Sequence, residues 1–412
     1  MKRLTFALTG VCLLALAGGA FAQGGPGGPM MGGYPQMMPA GGYGGGGMGY
    51  PGATPANYPM TQQVNAMQAM YGEGDSSGAE GAAMPGPGGP GGPDDGSCPP
   101  GGGECGDGGP HGPIGYAYGD FELFYARRTN GYKTQPLVID TDPITAAVTV
   151  ITTTHDLEFP YEPGVKATVG YMWAQGFGVE GTYFGQFDLH TGLLHTSTGP
   201  TLSLPGDIGN NTTDFDAVPQ ITASYRSQIQ NGELNFVLPY GSFQWLWGFR
   251  YMQVQELLDL NGNTGAEASD YVIHTNNNLY CSQLGARCQW EIGRFQFEAS
   301  VKAGLGDNSA NEQQMIRDVG NTVLVTNGTD TRTDIDASKN SVAFIGEVDV
   351  SAMIPMGSHW TGRLGYTGVW VTDLALAPNQ LDFGIPATNG NFVNTKGNII
   401  LHGFTAGVEC RF

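Results

Sequence analysis

The residues of this chain that could do chemistry are mostly acidic side chains in polar stretches. The carboxylates that could serve a hydrolase as a general base are Asp188, Asp214, Asp216, Asp334 and Asp336. A general base needs a positioned partner. The histidines do not have metal-ligand spacing, and no nucleophile-elbow, P-loop or zincin motif occurs. The sequence therefore predicts no catalytic residue, no metal ligand and no cofactor.

A second set of charged residues alternates with large apolar residues; Arg250, for example, stands between Phe249 and Tyr251. Successive side chains of a strand point to opposite faces, so these charges share one face. An Arg or Lys facing lipid near the bilayer midplane would cost about 2–4 kcal/mol. We therefore predict that one set lines a barrel interior as an ion-pair network: Glu122, Lys166, Glu180, Arg250, Arg287, Glu298, Lys302, Glu347, Asp349, Arg363, Glu409 and Arg411.

The elements that position these charges are amphipathic strands, of which 399–412 is the clearest. One of its faces is mostly apolar, and the other carries small residues and a Glu–Arg pair. Aromatic residues cluster at strand ends, as in the interfacial girdles of membrane barrels. The predicted interfacial aromatics are Trp173, Phe243, Trp290, Phe295, Trp360 and Phe412.

The connections between the strands alternate between short and long. Short turns are predicted at 175–176, 239–241, 292–293 and 355–358, and long polar loops at 129–163, 188–219, 258–278, 306–342 and 375–398. Short turns at one end and long loops at the other are typical of outer-membrane barrels. The predicted fold is all-β: a closed antiparallel transmembrane barrel of about ten strands of ten to twelve residues, with twelve strands as the upper count. Its turns would be periplasmic and its loops outward.

The N-terminal part of the chain has a different composition. Residues 1–22 have the basic, apolar and A-x-A regions of a cleaved signal peptide. Residues 23–112 are rich in Gly, Pro and Met and then acidic, and they cannot bury a core, so we expect a disordered arm. The barrel is assigned to 113–412. The net charge of −20 argues against a nucleic-acid partner.

The cysteines allow one local disulfide. Cys98 and Cys105 bracket a short Pro/Gly loop, and in an oxidising compartment they could form a bond. Cys281 and Cys288 are an odd number of residues apart in one strand, so they point to opposite faces and cannot bridge each other.

Several sequence segments resemble those of the outer-membrane β-barrel family abundant in planctomycetes. They include T-N-N-N-L-Y-C-S-Q-L-G at 275–285, L-W-G-F-R-Y at 246–251, V-K-A-G-L-G-D-N at 301–308, L-A-L-A-P-N-Q-L at 374–381 and L-H-G-F-T-A-G-V-E-C-R-F at 401–412. The resemblance implies an outer-membrane location, with lipid as a partner. It also implies that the last strand, ending on Phe412, carries the signal for the barrel-assembly machinery. It supplies no substrate.

The sequence therefore favours a non-enzymatic barrel with a structural or porin-like envelope role. Its lumen would be largely plugged by ion pairs, and its long loops would carry recognition. One alternative is an outer-membrane enzyme of the protease or lipase type. Another is a secreted soluble β-sandwich or adhesin, although a soluble closed barrel would have to pack Trp245, Trp247 and Phe249 into one narrow interior.

Overall fold

The computed structural model describes residues 115–199, 201–211, 215–265, 268–318, 325–326, 329–330, 335–384 and 392–412. The predicted signal peptide, the predicted arm and the proposed Cys98–Cys105 disulfide lie outside these residues.

Ten strands form a closed antiparallel barrel, which confirms the predicted fold class. They are β1 (Tyr116–Gly131), β4 (Glu162–Met172), β5 (Gly178–Thr196), β7 (Gln220–Tyr240), β8 (Phe243–Asn263), β9 (Ala268–Ile292), β10 (Phe295–Asp318), β13 (Ile335–Pro355), β14 (Trp360–Leu374) and β15 (Gly397–Arg411). Each strand pairs with the next barrel strand along the chain, and β1 closes the barrel by pairing with β15.

The predicted short turns are present, and they define what we call the turn end of the barrel. Gly241 and Ser242 alone connect β7 to β8, and Gly293 and Arg294 connect β9 to β10. Gly241 and Gly293 have φ of 64° and 65°, a left-handed conformation that suits glycine in tight hairpins. The opposite end, where the longer connections lie, is called the loop end.

Several barrel strands are far longer than predicted. β7, β8, β9, β10 and β13 contain 21 to 25 residues each, whereas a tilted strand needs about 9–11 to cross a bilayer. The predicted loop 258–278 is thus mostly strand, and the described parts of 306–342 extend β10 and β13. The wall therefore has two zones, which meet near Gly232 on β7. We call the zone towards Tyr240 the turn half and the zone towards Gln220 the loop half.

The two halves have opposite polarity. In the turn half the outward side chains are apolar and the inward ones are polar. In the loop half the inward side chains include buried Ile221, Tyr225, Leu258 and Ile273. On β7 this reversal falls near Gly232. β7 pairs with β8 without interruption there, and a register shift lies in the neighbouring β5, between Gln186 and Leu189.

Short elements fill the loop half from within. They are β2 (Pro136–Thr141), β6 (Leu202–Ser203), the six-residue helix α1 (Gly206–Asn211) and two 3₁₀ turns, Thr154–Asp156 and Ala377–Gln380. β3 (Val148–Thr153) pairs with β2 but is mostly exposed. Leu137 and Ile208 of this set, together with Leu157 and Leu204 beside it, pack in one buried cluster with inward residues of the wall. Two further short strands, β11 (Val325–Thr326) and β12 (Thr329–Asp330), pair with each other. Among the described residues, no helix has the length and apolarity needed to cross a bilayer.

Candidate functional site in the barrel interior

Two acidic and two basic side chains form the centre of the interior, and we call them the central tetrad: Glu233, Arg250, Lys302 and Glu347. Lys302 Nζ lies 3.0 Å from Glu233 Oε2 and 3.0 Å from Glu347 Oε1. Arg250 Nη2 lies 3.0 Å from Glu233 Oε1 and also contacts Glu347. Each cation therefore touches both carboxylates, and the four almost fully buried charges balance. Buried charges need such pairing to offset their desolvation.

Arg363 forms a second ion cluster, nearer the turn end. Its guanidinium nitrogens lie 2.9 Å from Glu122, 2.9 Å from Glu298 and 3.0 Å from Glu409. These carboxylates come from β1, β10 and β15, so one side chain of β14 joins four strands across the interior. The fork of an arginine side chain suits such multiple pairing.

Two further ion pairs complete the network. Arg287 holds Glu180 through two hydrogen bonds of 2.9 and 2.8 Å, and the Tyr118 hydroxyl donates to the same carboxylate at 2.7 Å. Lys166 Nζ lies 2.9 Å from Asp349. The structure therefore places eleven of the twelve predicted charges in the interior with largely buried side chains. The twelfth, Arg411, pairs with Glu409 at the turn end and is about half exposed.

The turn-end side of this network encloses a polar cavity. Its lining includes Tyr116 and Arg411 at the turn end and Lys302 of the central tetrad. The ion pairs leave a cavity of about 70 Å³ in this half of the lumen.

The lumen is closed in the loop half. There Arg128, Glu256, Tyr225 and Ser227 form a fully or almost fully buried group. Arg128 contacts Glu256 and Ser227 and donates to the Tyr225 hydroxyl at 3.0 Å. The segment after β14 lies against this group, because the Ala377 amide donates to Glu256 at 2.7 Å. The apolar cluster of β2, β6 and α1 surrounds it. Closure thus comes from an apolar core with an embedded ion pair.

The outer surface of the turn half is a continuous apolar band. Trp245, Trp247 and Phe249 are about half exposed on β8, and Leu284, Leu364 and Phe404 are similarly exposed on other strands. Among the predicted interfacial aromatics, Trp173, Phe243, Phe295, Trp360 and Phe412 are exposed near the turn end. Trp290 is half-buried and stacks on Phe297, with ring centroids 5.9 Å apart. Outer-membrane barrels carry such an apolar band on their outward face.

The three described loop carboxylates that were considered for catalysis have different surroundings. Asp188 lies 3.6 Å from His190, and both side chains are exposed. Asp216 accepts a hydrogen bond from Ser203 at 3.2 Å, and Asp336 is exposed on β13. Asp214 and Asp334 lie outside the described residues. Within the described part of the chain, no three His, Cys, Asp or Glu side chains are grouped as metal ligands would be.

Other loop carboxylates have structural partners. The Thr153 amide and hydroxyl donate to Asp156 at 2.7 and 2.9 Å and hold the pKa of that carboxyl below its usual value. The amides of Thr145 and Ile144 lower the pKa of Asp142 in the same way. Cys281, Cys288 and Cys410 are buried free thiols.

Three residues of the interior network were missed at the sequence level: Glu233, Arg128 and Glu256. Glu233 lies just after Gly232, where the polarity of the inward face of β7 reverses. Arg128 and Glu256 lie beside regions assigned to loops. Glu233 could have been identified by continuing the alternation of inward and outward side chains without a break through 220–240.

Comparison with known proteins gives one family. Residues 211–412 match the model of the family described as "Putative beta barrel porin-7 (BBP7)". The match begins ahead of β7 and runs through β15. The matched segment is therefore similar to a β-barrel porin family, in agreement with the apolar band. No curated protein sequence matches the chain significantly.

Several solved structures show similarity to the chain at low sequence identity. The outer membrane protease OmpT from Escherichia coli is 10% identical, with a TM-score of 0.40, and the alignment covers 72% of this chain and 97% of that chain. The P. putida toluene transporter TodX is 9% identical, with a TM-score of 0.25 and coverages of 72% and 89%. OprG from Pseudomonas aeruginosa is 10% identical, with a TM-score of 0.19 and coverages of 73% and 97%.

Proposed function

We propose that this protein is a structural barrel of the outer membrane that does not conduct solutes in the conformation described. The observation that carries this proposal is the combination of an apolar outer band with a lumen that is blocked by packed side chains in the loop half. The turn-end cavity reaches Lys302, and the buried Arg128–Glu256 group and the apolar cluster lie in the loop half. A solute entering from the turn end would first meet the ion pairs of the turn half and then the packed apolar side chains of the loop half.

In this proposal the turns face the periplasm, and the long strands and loops extend outside the cell. Residues 1–22 are cleaved on export, and the barrel-assembly machinery recognises β15. The protein has no enzymatic activity. This is supported by the different partners of two loop carboxylates: Asp188 lies beside His190, and Asp216 accepts a hydrogen bond from Ser203. Recognition belongs to the extended loop half.

A porin-like channel is the second candidate function, favoured by the description of the matched family and by the turn-end cavity. Conduction would require the segment after β14 to leave Glu256 and Asn277, to which the Ala377 and Ala375 amides donate at 2.7 and 2.7 Å.

Fractionation of cells expressing the full chain tests the location. We expect the protein in outer-membrane material, with a mobility on denaturing gels that changes on heating. Recovery from the soluble periplasm would contradict the proposal. Planar bilayers then separate the two candidates: the structural barrel gives no stable conductance steps, whereas a porin gives them.

A further inference from the structure

The barrel wall has a gap at the loop end between β1 and β5, which we call the notch. β1 and β4 stop pairing at Ala126 and Glu162, yet β1 stays paired with β15 as far as Gly131. On the loop-end side of Glu162, no strand of the described residues stands between β1 and β5. Residues 154–161 fill part of the notch with buried Leu157 and Phe159. Between this segment and β1 remains a cavity of about 240 Å³.

Two consecutive arginines line this cavity. Arg128 is 1% exposed, and its Nε has no hydrogen-bond partner among the described residues, although its other nitrogens are bound. Arg127 Nε is also buried without a partner, and no carboxylate within the described ranges pairs with Arg127. Buried donors are normally satisfied, so two unsatisfied guanidinium nitrogens beside one cavity indicate a missing acceptor.

The notch lies at the edge of the apolar band. Tyr125 is exposed on the outer face, and its ring stacks on Tyr161 with centroids 5.6 Å apart. Next to them Tyr366 and His402 are joined by a hydrogen bond of 2.7 Å. Such amphipathic rings belong at the level of lipid headgroups. Arg127 follows Tyr125 on the same outward face and lies 5.8 Å from the Tyr161 ring centroid. Its guanidinium is therefore at headgroup height.

We propose that the notch binds the phosphate group of an outer-leaflet lipid, an inference that rests on the membrane location proposed above. The Arg127 guanidinium holds the phosphate at the outer rim, and Arg128 Nε donates from the floor of the cavity. Arginine suits phosphate because its planar fork matches the oxyanion. His155 adds a further polar group to the lining, while exposed Glu158 opposes the anion and weakens binding.

Native mass spectrometry of the full chain in detergent with added phosphatidic acid tests this site, with phosphatidylcholine as comparison. We expect the barrel to retain one phosphatidic acid preferentially. Arg127→Gln should lower this affinity about tenfold or more, and Glu158→Gln should raise it. Arg226→Gln is the matched control, because Arg226 is exposed on the outer face of β7 and is not part of the cavity lining. Heat-modifiable mobility shows that each variant is folded.

Competition with inorganic phosphate distinguishes a lipid site from a site for a soluble anion. Millimolar phosphate should not displace the lipid, because the acyl chains also lie on the apolar band. Displacement by phosphate alone overturns the lipid assignment. A heat-modifiable barrel that retains no phosphatidic acid, or that loses it equally in Arg127→Gln and Arg226→Gln, overturns the site. A chain without heat-modifiable mobility instead contradicts the proposed function, and this is read on the gel.

Discussion

Lys302 on β10 and Glu233 on β7 form an ion pair of 3.0 Å, although β8 and β9 stand between them in the wall. The pair therefore spans the interior and does not follow the sheet. Glu347 on β13 and Arg250 on β8 complete it as a tetrad. These charges hold β7 and β10, which share no backbone hydrogen bonds, at a fixed distance.

Removal of one tetrad carboxylate should destabilise the barrel strongly. In Glu233→Ala, Arg250 and Lys302 share a single remaining tetrad carboxylate, and breaking a buried pair costs about 3–5 kcal/mol. Urea unfolding in lipid, followed by tryptophan fluorescence, measures the change. Glu291→Ala is the control, because Glu291 is exposed at the turn end and should change stability by about 0.5 kcal/mol or less. Equal effects of the two variants would show that the tetrad does not stabilise the fold.

On the outward face of β8, an arginine should be tolerated in the loop half but should destabilise the barrel in the apolar band. Trp247 and Gln253 share the outward face of β8 six residues apart; Trp247 is 60% exposed in the apolar band, and Gln253 lies in the loop half beside Asn276 and Asn278. Trp247→Arg should cost about 2–4 kcal/mol or more, because it places a charge near the bilayer midplane. Gln253→Arg should be nearly neutral. The same unfolding measurement compares them, and a larger cost at Gln253 would argue against the position assigned to the band.

Phe412 should matter for assembly more than for the stability of the folded barrel. Its backbone exchanges two hydrogen bonds with Ala117, of 2.9 and 3.2 Å, while its ring is 79% exposed. Phe412→Ala keeps both bonds, so we expect a stability change of about 0.5 kcal/mol or less but a smaller amount of protein in the outer membrane. Phe295→Ala, another exposed aromatic at the turn end, is the control. Matching amounts for both variants would contradict a role of Phe412 in assembly.

The turn half could be predicted from the sequence because polar inward residues alternate regularly with apolar outward residues along each strand. Charges such as Arg250 and Lys302 alternate with large apolar residues, and the tight turns at Gly241 and Gly293 mark the strand ends. These two signals were sufficient for the strand order and for the direction of most charged side chains.

The loop half could not be predicted in the same way. There the outward residues, such as Gln253, Asn276 and Asn311, are amides that resemble loop sequence, and many of the inward ones are apolar. The apolar face is covered by β2, β6 and α1, which come from the stretches assigned to loops. Packing between distant segments, such as Phe159 on Tyr225 at 4.8 Å, leaves no periodic signal in either one.

Tryptophan quenching tests the membrane-spanning barrel most directly. In a variant that keeps only Trp247, with the other tryptophans changed to Phe, lipids brominated in the middle of their chains should quench most of the fluorescence. Aqueous acrylamide should quench little, because the account places this side chain in the hydrocarbon region. Strong quenching by acrylamide with none by brominated lipid would contradict the account and indicate a barrel outside the membrane.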